Sequence, residues 1–128
     1  MNNIIKGKIG EKFTVRYLKK LKYKVLAVNM RNRYSEIDII AENKEYIIFV
    51  EVKTRSSDQQ IRPADAVNRK KQQKIMTAAK HYLLYEYKDQ SKQPRFDIAE
   101  VFLNEKNKPY SINYIENAFI QGGSYALL

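Results

Sequence analysis

The sequence predicts a single α/β domain in which one mixed sheet is flanked by helices. Its length of 128 residues is that of one domain. Apolar residues recur with a helical period in two segments and form strand-like runs in five others, in the order α, β, β, β, α, β, β. No internal repeat or linker divides the chain, so all of these elements are expected in one unit spanning 1–128.

The first half of the chain is expected to form a helix followed by three strands. A helix is predicted over 4–22 because apolar residues recur at spacings of three and four. Residues 23–29 are β-branched and partly alternating, which indicates a strand. The apolar runs 36–41 and 45–54 follow with only a short polar connection between them, which favours a hairpin.

The second half is expected to form a helix and two further strands. Pro63 stands where a helix tolerates proline, in its first turn, and no Gly or Pro follows it until Pro94. Residues 96–103 alternate like a half-exposed strand, and 110–115 are expected to form another. The tail from Asn117 onward is expected to be loosely held.

The net charge of +10 is distributed unevenly along the chain. Residues 1–34 contain ten basic side chains and one acidic one, and 62–88 contain seven and two, whereas 35–61 contain six acidic and three basic ones. A cationic surface attracts polyanions, which makes nucleic acid the leading expected partner and an anionic membrane the next. The ordinary alternative is a lysine-rich surface that only keeps the protein soluble.

The composition excludes several classes of site. The chain has no cysteine, which excludes disulfides, a thiolate nucleophile, a cysteine zinc site and an iron–sulfur cluster. His81 is the single histidine, so histidine triads and multi-histidine metal sites are excluded too. No apolar run approaches the roughly 18 residues of a membrane span, and none at the start has signal-peptide length. We therefore expect a cytoplasmic protein without a membrane partner, whose chemistry depends on carboxylates, lysines, hydroxyls or a hard cation.

Four charged residues of the predicted hairpin are expected on one face of the sheet. Side chains alternate across a strand, so the acids Glu36 and Asp38 share a face. Glu51 and Lys53 share a face in the same way. A candidate site made of three carboxylates and one amine follows from strand geometry alone.

The register of the hairpin decides how close these groups come. With a two-residue turn at 43–44, Glu36 faces Glu51 and Asp38 faces Phe49. Asp38 and Glu51 then become diagonal neighbours, with roughly 5–8 Å between their β-carbons. One cation can bridge that distance.

Carboxylates this close repel each other unless a proton, a lysine or a metal ion neutralises them. Two carboxylates, with water and substrate phosphate completing the shell, form a pattern that magnesium prefers. Lys53 is then placed to stabilise charge that develops on a phosphate or to orient the attacking water. The pattern suits phosphodiester hydrolysis, but a Glu-x-Lys strand also occurs where the charged pair only stabilises a sheet. From the residues alone both interpretations stay open.

Two other groups of polar residues have two interpretations each. Glu11 falls inside the apolar arc of the first helix, near Val15 and Leu18. It either pairs with a lysine or points into the acidic cluster. The second helix carries a polar face that either contacts phosphates or is simply solvated. This face contains Lys70, Gln72, Gln73 and Lys74.

Several motifs follow one another along roughly residues 7–103. They are Gly7-x-x-Gly10-Glu11, Asn29-x-Arg31, Glu36-Ile37-Asp38-Ile39-Ile40-Ala41, Phe49-Val50-Glu51-Val52-Lys53-Thr54-Arg55, a helix rich in lysine and glutamine, and Arg95-Phe96-Asp97. Jointly and in this order they resemble the UPF0102 (YraN-like) family, a member group of the PD-(D/E)XK nuclease superfamily. Ser35 departs from the family pattern, which usually has glycine before Glu-Ile-Asp.

The resemblance implies a restriction-endonuclease-like fold with an αβββαβ core. It implies that Asp38, Glu51 and Glu11 bind Mg²⁺ or Mn²⁺ and that Lys53 is the catalytic lysine. Similarity to archaeal Holliday-junction resolvases implies a homodimer. We expect an endonuclease that acts on DNA, with branched or damaged DNA as the candidate substrate. Its nucleic-acid contacts are expected from Arg31, Arg33, Arg55, Lys70, Lys71 and Lys74.

Two other functions compete with the nuclease. The first is a non-catalytic nucleic-acid-binding module that uses the same basic surface but has a degenerate site. The second is a protein-interaction subunit whose basic helices contact an acidic partner. Cleavage assays distinguish the non-catalytic binding module from the nuclease. Failure to bind nucleic acid at low salt would favour the protein-interaction subunit.

Overall fold

The computed structural model describes residues 1–56 and 67–119 and shows the predicted order of elements. An αβββαβ core is followed by one more strand. The elements are α1 (Asn3–Lys20), β1 (Lys24–Arg31), β2 (Glu36–Glu42), β3 (Tyr46–Arg55), α2 (Arg69–Tyr85), β4 (Gln93–Leu103) and β5 (Pro109–Phe119). The α/β fold class with one mixed sheet is therefore confirmed.

The five strands form one sheet in which the spatial order equals the chain order, β1 to β5. All neighbouring strands are antiparallel except β3 and β4, which are parallel. A parallel pair requires a crossover connection, and α2 lies in that connection. Helix α1 packs on one face of the sheet and α2 on the other, so the two faces are buried by different helices.

Each helix contributes apolar side chains to its own half of the core. On the α1 side Leu18 is fully buried against Ile48 and Val50 of β3. On the α2 side Ile75 packs over Phe49, together with the small residues and aromatic rings of that cluster. Burial of these side chains is the main term that holds the three layers together. Within residues 1–56 and 67–119, no helix is long and apolar enough to cross a bilayer.

Helix α2 begins later than its sequence predicts. It starts at Arg69, because the side chain of Asn68 accepts a hydrogen bond of 2.9 Å from the backbone N–H of Lys71 and caps the helix. Val67 and Asn68 are not helical, and Pro63 lies outside the described residues. The prediction that this helix begins at Pro63 is therefore wrong for α2.

Strand β5 continues to Phe119, so the tail expected from Asn117 onward is ordered for its first three residues. The backbone N–H of Asn117 donates to the carboxylate of Asp97 at 2.9 Å, and Ala118 and Phe119 are buried. Residues 120–128 lie outside the described residues.

The register of the hairpin differs from the predicted one. Phe49 faces Ile40 and not Asp38, and Val50 faces Ile39. The predicted pairing of Asp38 with Phe49 is therefore wrong. The strands are displaced by two residues relative to the prediction. Ile37 packs in the α2-side cluster and Ile39 in the α1-side cluster, so the strict alternation expected over 36–41 is interrupted around Asp38.

The turn explains this displacement. The side-chain oxygen of Asn43 accepts hydrogen bonds from the backbone N–H groups of Glu45, at 2.9 Å, and Tyr46, at 2.7 Å. The backbone N–H of Asn43 also donates to the carbonyl of Tyr46 at 3.0 Å. Asparagine stabilises a turn of this kind with its own side chain. The two turn residues are consequently 44–45 and not 43–44.

Gly10 allows α1 to approach β3 closely. A β-carbon at this position would lie 2.0 Å from the Oγ1 atom of Thr54, whereas a β-carbon at Gly7 would meet nothing within 4 Å. The same contact fixes the rotation of α1 and hence the direction of the next residue, Glu11. Gly10 is therefore required by packing.

We expect Gly10→Ala to lower the free energy of unfolding by about 2 kcal/mol, because a methyl group is forced into a closely packed contact. Gly7→Ala is the matched control on the same helix and should stabilise the protein by about 0.5–1 kcal/mol through helix propensity. Chemical denaturation measures both. Thr54→Ala should restore most of the loss in the double variant, and failure of that rescue would contradict the contact.

Candidate functional site

Asp38 and Glu51 are neighbours at the end of the β2–β3 ladder. The last backbone pair of the ladder joins Ile39 and Val50, so these two acids are the next residues along their strands. The Oδ2 atom of Asp38 accepts a hydrogen bond of 2.8 Å from the backbone N–H of Val52. This bond fixes the Asp38 carboxyl group, whose pKa responds to the nearby Glu51 carboxyl group.

The two acids lie in an environment that disfavours two negative charges. The side chain of Glu51 is only 5% exposed. Burial of Asp38, the charge of Glu51 and, to a smaller extent, the charge of Glu11 raise the pKa of Asp38 to about 7, although the Val52 N–H bond opposes the change. Asp38 is therefore partly protonated near neutral pH. A carboxyl group with a raised pKa is typical of functional sites.

Two lysines compensate the charge of Glu51. The Nζ atom of Lys71 lies 2.6 Å from Oε2 of Glu51, and that of Lys53 lies 3.8 Å from the same oxygen. Burial lowers the pKa of Lys71, but its hydrogen bond and charge interaction with Glu51 outweigh this effect and the pKa lies above its usual value. Lys53 is thus on the face of the acids, as predicted, and Lys71 joins it from α2.

Glu11 is linked to the pair through Asn29. The amide of Asn29 donates to Oε1 of Glu11 at 3.2 Å, and Asn29 falls opposite Asp38 in the β1–β2 register. Asn29 has a φ of 55°, a left-handed conformation that asparagine tolerates better than most residues. The carboxylate of Glu11 is thus held by Asn29, and its charge acts on Asp38 from there.

The donor atoms of Asp38 and Glu51 fit a hard divalent cation. Both groups present carboxylate oxygen, and the charge of Glu51 is one of the causes that raise the pKa of Asp38, so a cation between them would relieve this repulsion. No three Asp, Glu or His side chains within 1–56 and 67–119 form a group that could hold a metal ion, so Glu11 stands apart from the pair. Magnesium commonly uses one or two protein carboxylates and takes its other ligands from water and phosphate.

The remaining basic residues predicted to contact nucleic acid are in two different environments. Lys70 and Lys74 are exposed on α2. Arg33 is exposed as well, lies 4.9 Å above the ring of Tyr34 and donates to its hydroxyl oxygen at 2.7 Å. These three side chains are accessible to a partner.

Arg31 and Arg55 pair with acids across strands. Arg31 lies 4.0 Å from Glu36 with most of its side chain exposed, so this pair is weak. Arg55 lies 3.3 Å from Glu100, and its side chain is only 13% exposed. Arg55 therefore supports the sheet, and of the two arginines Arg31 is the more accessible to phosphate.

Ser35 occupies its position without strain. It is not among the described residues with positive φ. Its backbone carbonyl accepts from the N–H of Asn32 at 3.2 Å, and its hydroxyl donates to the carbonyl of Glu36 at 3.2 Å. The departure from glycine at this position therefore leaves the entry into β2 intact.

The Arg95-Phe96-Asp97 motif forms a separate network on the α1 side of the sheet. Asp97 is fully buried and accepts two hydrogen bonds of 2.9 Å from Arg95, one of 2.6 Å from the hydroxyl of Tyr114 and one from the Asn117 backbone. Arg95 also donates to the hydroxyl of Tyr23 at 2.8 Å. This network joins β4, β5 and the segment after α1, and it stabilises the fold.

Sequence reasoning missed the roles of Asn29 and Lys71 at the site. Asn29 has a signal in the sequence, because asparagine is disfavoured inside a β-branched strand unless it has a local function. Lys71 has no such signal in the sequence, because it is one of several adjacent basic residues. Only the packing of α2 on the sheet brings its side chain to Glu51. Lys71 is expected to contact phosphate, but in the structure it contacts Glu51.

Comparison with known proteins agrees with this arrangement of motifs. A family model described as "Uncharacterised protein family UPF0102" matches residues 10–101. A UPF0102 protein of Clostridium acetobutylicum is 47% identical over 117 residues, which cover 88% of this chain and 92% of that protein. A UPF0102 protein of Alkaliphilus oremlandii is 48% identical over 114 residues, which cover 88% of this chain and 96% of that protein. The chain belongs to the UPF0102 family.

Proposed function

We propose that this protein is an endonuclease that uses Mg²⁺ or Mn²⁺ to hydrolyse phosphodiester bonds of DNA, with branched or damaged DNA as its substrate. The observation that carries the proposal is the pair Asp38 and Glu51, a half-buried and a buried carboxyl group held next to each other at the end of the β2–β3 ladder. Lys53 lies on the same face, and the chain has a charge of +10. This combination suits a polyanionic substrate.

The residues of the site would act in distinct ways. Asp38 and Glu51 would hold the cation, which supplies Lewis-acid polarisation of the scissile phosphate. Lys53 would stabilise the negative charge that develops on the phosphate or orient the attacking water. Asn29 would hold Glu11 towards the pair, so that its charge favours uptake of the cation. The backbone N–H of Val52 would keep the Asp38 carboxyl group in position.

The accessible cations around the site would hold the DNA backbone. Lys70 and Lys74 lie on the exposed face of α2, whose Lys71 reaches Glu51. Arg31 and Arg33 lie at the end of β1 and in the connection to β2. These four residues flank the acid pair and are proposed to contact duplex phosphates, which fixes the position of the duplex without reading its sequence.

A cleavage panel tests the proposal. Purified protein is incubated with linear, nicked, flapped, four-way and single-stranded DNA and with RNA, in the presence of Mg²⁺, Mn²⁺ or a chelator. We expect cleavage of at least one DNA substrate that requires the metal and is absent in the chelator. The mass of the protein, free and bound to a junction, tests in the same samples the homodimer that the family resemblance implies. No cleavage of any substrate with either metal would contradict the proposal.

One observation favours a second candidate, a nucleic-acid-binding module without catalysis. The ammonium group of Lys71 lies 2.6 Å from Glu51 and neutralises it without a metal ion. A site that is already compensated in this way requires no cation for stability. Salt-sensitive DNA binding with no cleavage and no metal uptake would support this candidate.

The same contact gives a prediction about metal affinity. Lys71→Met removes a positive charge that competes with the cation for Glu51, so we expect the affinity for Mn²⁺ to rise about tenfold. Lys70→Met is the matched control, because it removes the same charge from the adjacent, exposed position and should change the affinity little. Titration calorimetry measures both. An unchanged or lower affinity in the Lys71 variant would show that Lys71 does not compete with the cation.

A further inference from the structure

A recess of about 420 Å³ lies between α1 and the edge strand β1. Three cations of α1 line it, Lys8, Lys12 and Arg16, and all three are exposed. They follow one another at intervals of four residues, so they form one stripe along the helix that is about 12 Å long. A stripe of cations beside a recess is suited to a chain of phosphates.

The recess also has an apolar wall. Val15 of α1 and Val28 of β1 line it, and Val28 is 45% exposed although it belongs to a strand. The charged backbone of a duplex offers an exposed valine little apolar surface. Such a valine is suited to a strand whose sugars and bases are accessible.

Two residues of the recess, Glu11 and Asn29, relate it to Asp38. Glu11 and Asn29 line the recess and are hydrogen-bonded to each other. Asn29 falls opposite Asp38 on the neighbouring strand, and the charge of Glu11 acts on Asp38. A nucleic-acid strand in the recess would therefore pass along the edge strand next to β2, which carries Asp38. Glu11 lies within the span of the cation stripe, so three positive charges and one negative charge line the recess and leave it cationic.

We propose that this recess, the α1 groove, binds an unpaired single strand of nucleic acid. Its phosphates contact Lys8, Lys12 and Arg16, and its sugars and bases contact Val15 and Val28. The inference rests on the proposed function, because it assigns the unpaired part of a branched or damaged substrate to a different surface from the one that holds the duplex.

Binding of two labelled probes tests this assignment. Fluorescence anisotropy is recorded with a short oligothymidine and with a blunt duplex of the same length, over a series of salt concentrations. The protein variants are the triple exchange of Lys8, Lys12 and Arg16 to glutamine and the double exchange Lys70→Gln, Lys74→Gln. A third variant replaces Lys24, Lys44 and Lys88 by glutamine. It is the control, because it also removes three positive charges but at a distance from the recess.

The α1 triple variant should bind oligothymidine about a hundredfold more weakly at about 0.1 M salt. Three phosphate contacts contribute about −2 to the slope of log affinity against log salt concentration, and the variant should lose this contribution. It should bind the duplex like the unmodified protein. The α2 double variant should show the opposite selectivity, and the control variant should reproduce the unmodified slopes.

Two results would overturn the inference. In one, the unmodified protein binds oligothymidine and the α1 triple variant binds it equally well. In the other, the α1 variant loses duplex and single-strand affinity to the same extent. If the unmodified protein binds neither probe, the proposed function itself fails, and the two failures are thus distinguishable.

Discussion

Replacing Asp38 by asparagine should abolish metal-dependent DNA cleavage and at the same time make the protein more stable above neutral pH. The exchange keeps the shape of the side chain and an oxygen that can accept from the Val52 N–H, but it removes a negative charge next to Glu51. We expect cleavage to fall by at least about 10²–10³-fold, because the site loses a charged ligand for the cation.

The gain in stability depends on pH in a defined direction. The pKa of Asp38 is raised from its usual value near 3.8 to about 7, so between these values the folded protein binds more protons than the unfolded chain. Stability therefore falls as pH rises from about 4 to about 7 and then levels off. An ionised Asp38 costs the fold about 4 kcal/mol above this range. Since the amide must also be desolvated, Asp38→Asn should gain about 2 kcal/mol near pH 8 and little near pH 4.

Urea denaturation at both pH values, with a chelator present, measures the gain. Glu45→Gln is the matched control, since Glu45 is an exposed acid in the turn of the same hairpin. It should keep full activity and show no pH-dependent gain. An Asp38→Asn protein that cleaves DNA normally, or that is less stable near pH 8, would contradict the role assigned to the pair.

Asp97→Ala should lower the free energy of unfolding by about 3–5 kcal/mol, a larger loss than Gly10→Ala should cause. The carboxylate of Asp97 is 0% exposed and accepts four hydrogen bonds, and its removal leaves the buried guanidinium of Arg95 without its main partner. Burial and the charge of Asp97 also raise the pKa of Tyr114, so its hydroxyl remains a donor that would lose its acceptor.

Thermal unfolding measures this loss as a decrease in Tm of about 10–20 °C. Glu105→Ala is the control, because Glu105 is an exposed acid in the β4–β5 turn, and it should change stability by no more than about 0.5 kcal/mol. The double exchange Arg95→Met, Asp97→Leu should be less harmful than Asp97→Ala, because it leaves no unpaired buried charge. A small effect of Asp97→Ala would show that the network is not a stabilising one.

The periodicity of the sequence was sufficient to predict the order of the elements. Residues 36–41 and 45–54 are apolar runs that carry acids, and a hairpin of these two runs brings Asp38 near Glu51. The proximity of Asp38 and Glu51 was therefore predictable. Their direct adjacency was not, because the side chain of Asn43 moves the turn by one residue.

Contacts between residues far apart in the chain determine the features of the site that the sequence pattern did not predict. Lys71 resembles its neighbours in the sequence, and only the position of α2 over the sheet brings its ammonium group to Glu51. Gly10 is one of two glycines in α1, and only the contact with Thr54 distinguishes it from Gly7. Such contacts join residues far apart in the chain, so no local period contains them.

Titration calorimetry with Mn²⁺ near pH 7 is the most direct test of the claim that Asp38 and Glu51 bind a divalent cation. In two buffers with different ionisation enthalpies, the protein should bind one ion and release about half a proton, because the pKa of Asp38 lies close to the pH of the experiment. Asp38→Asn and Glu51→Gln should each weaken this binding strongly. Absence of binding, or binding that both variants retain, would contradict the claim.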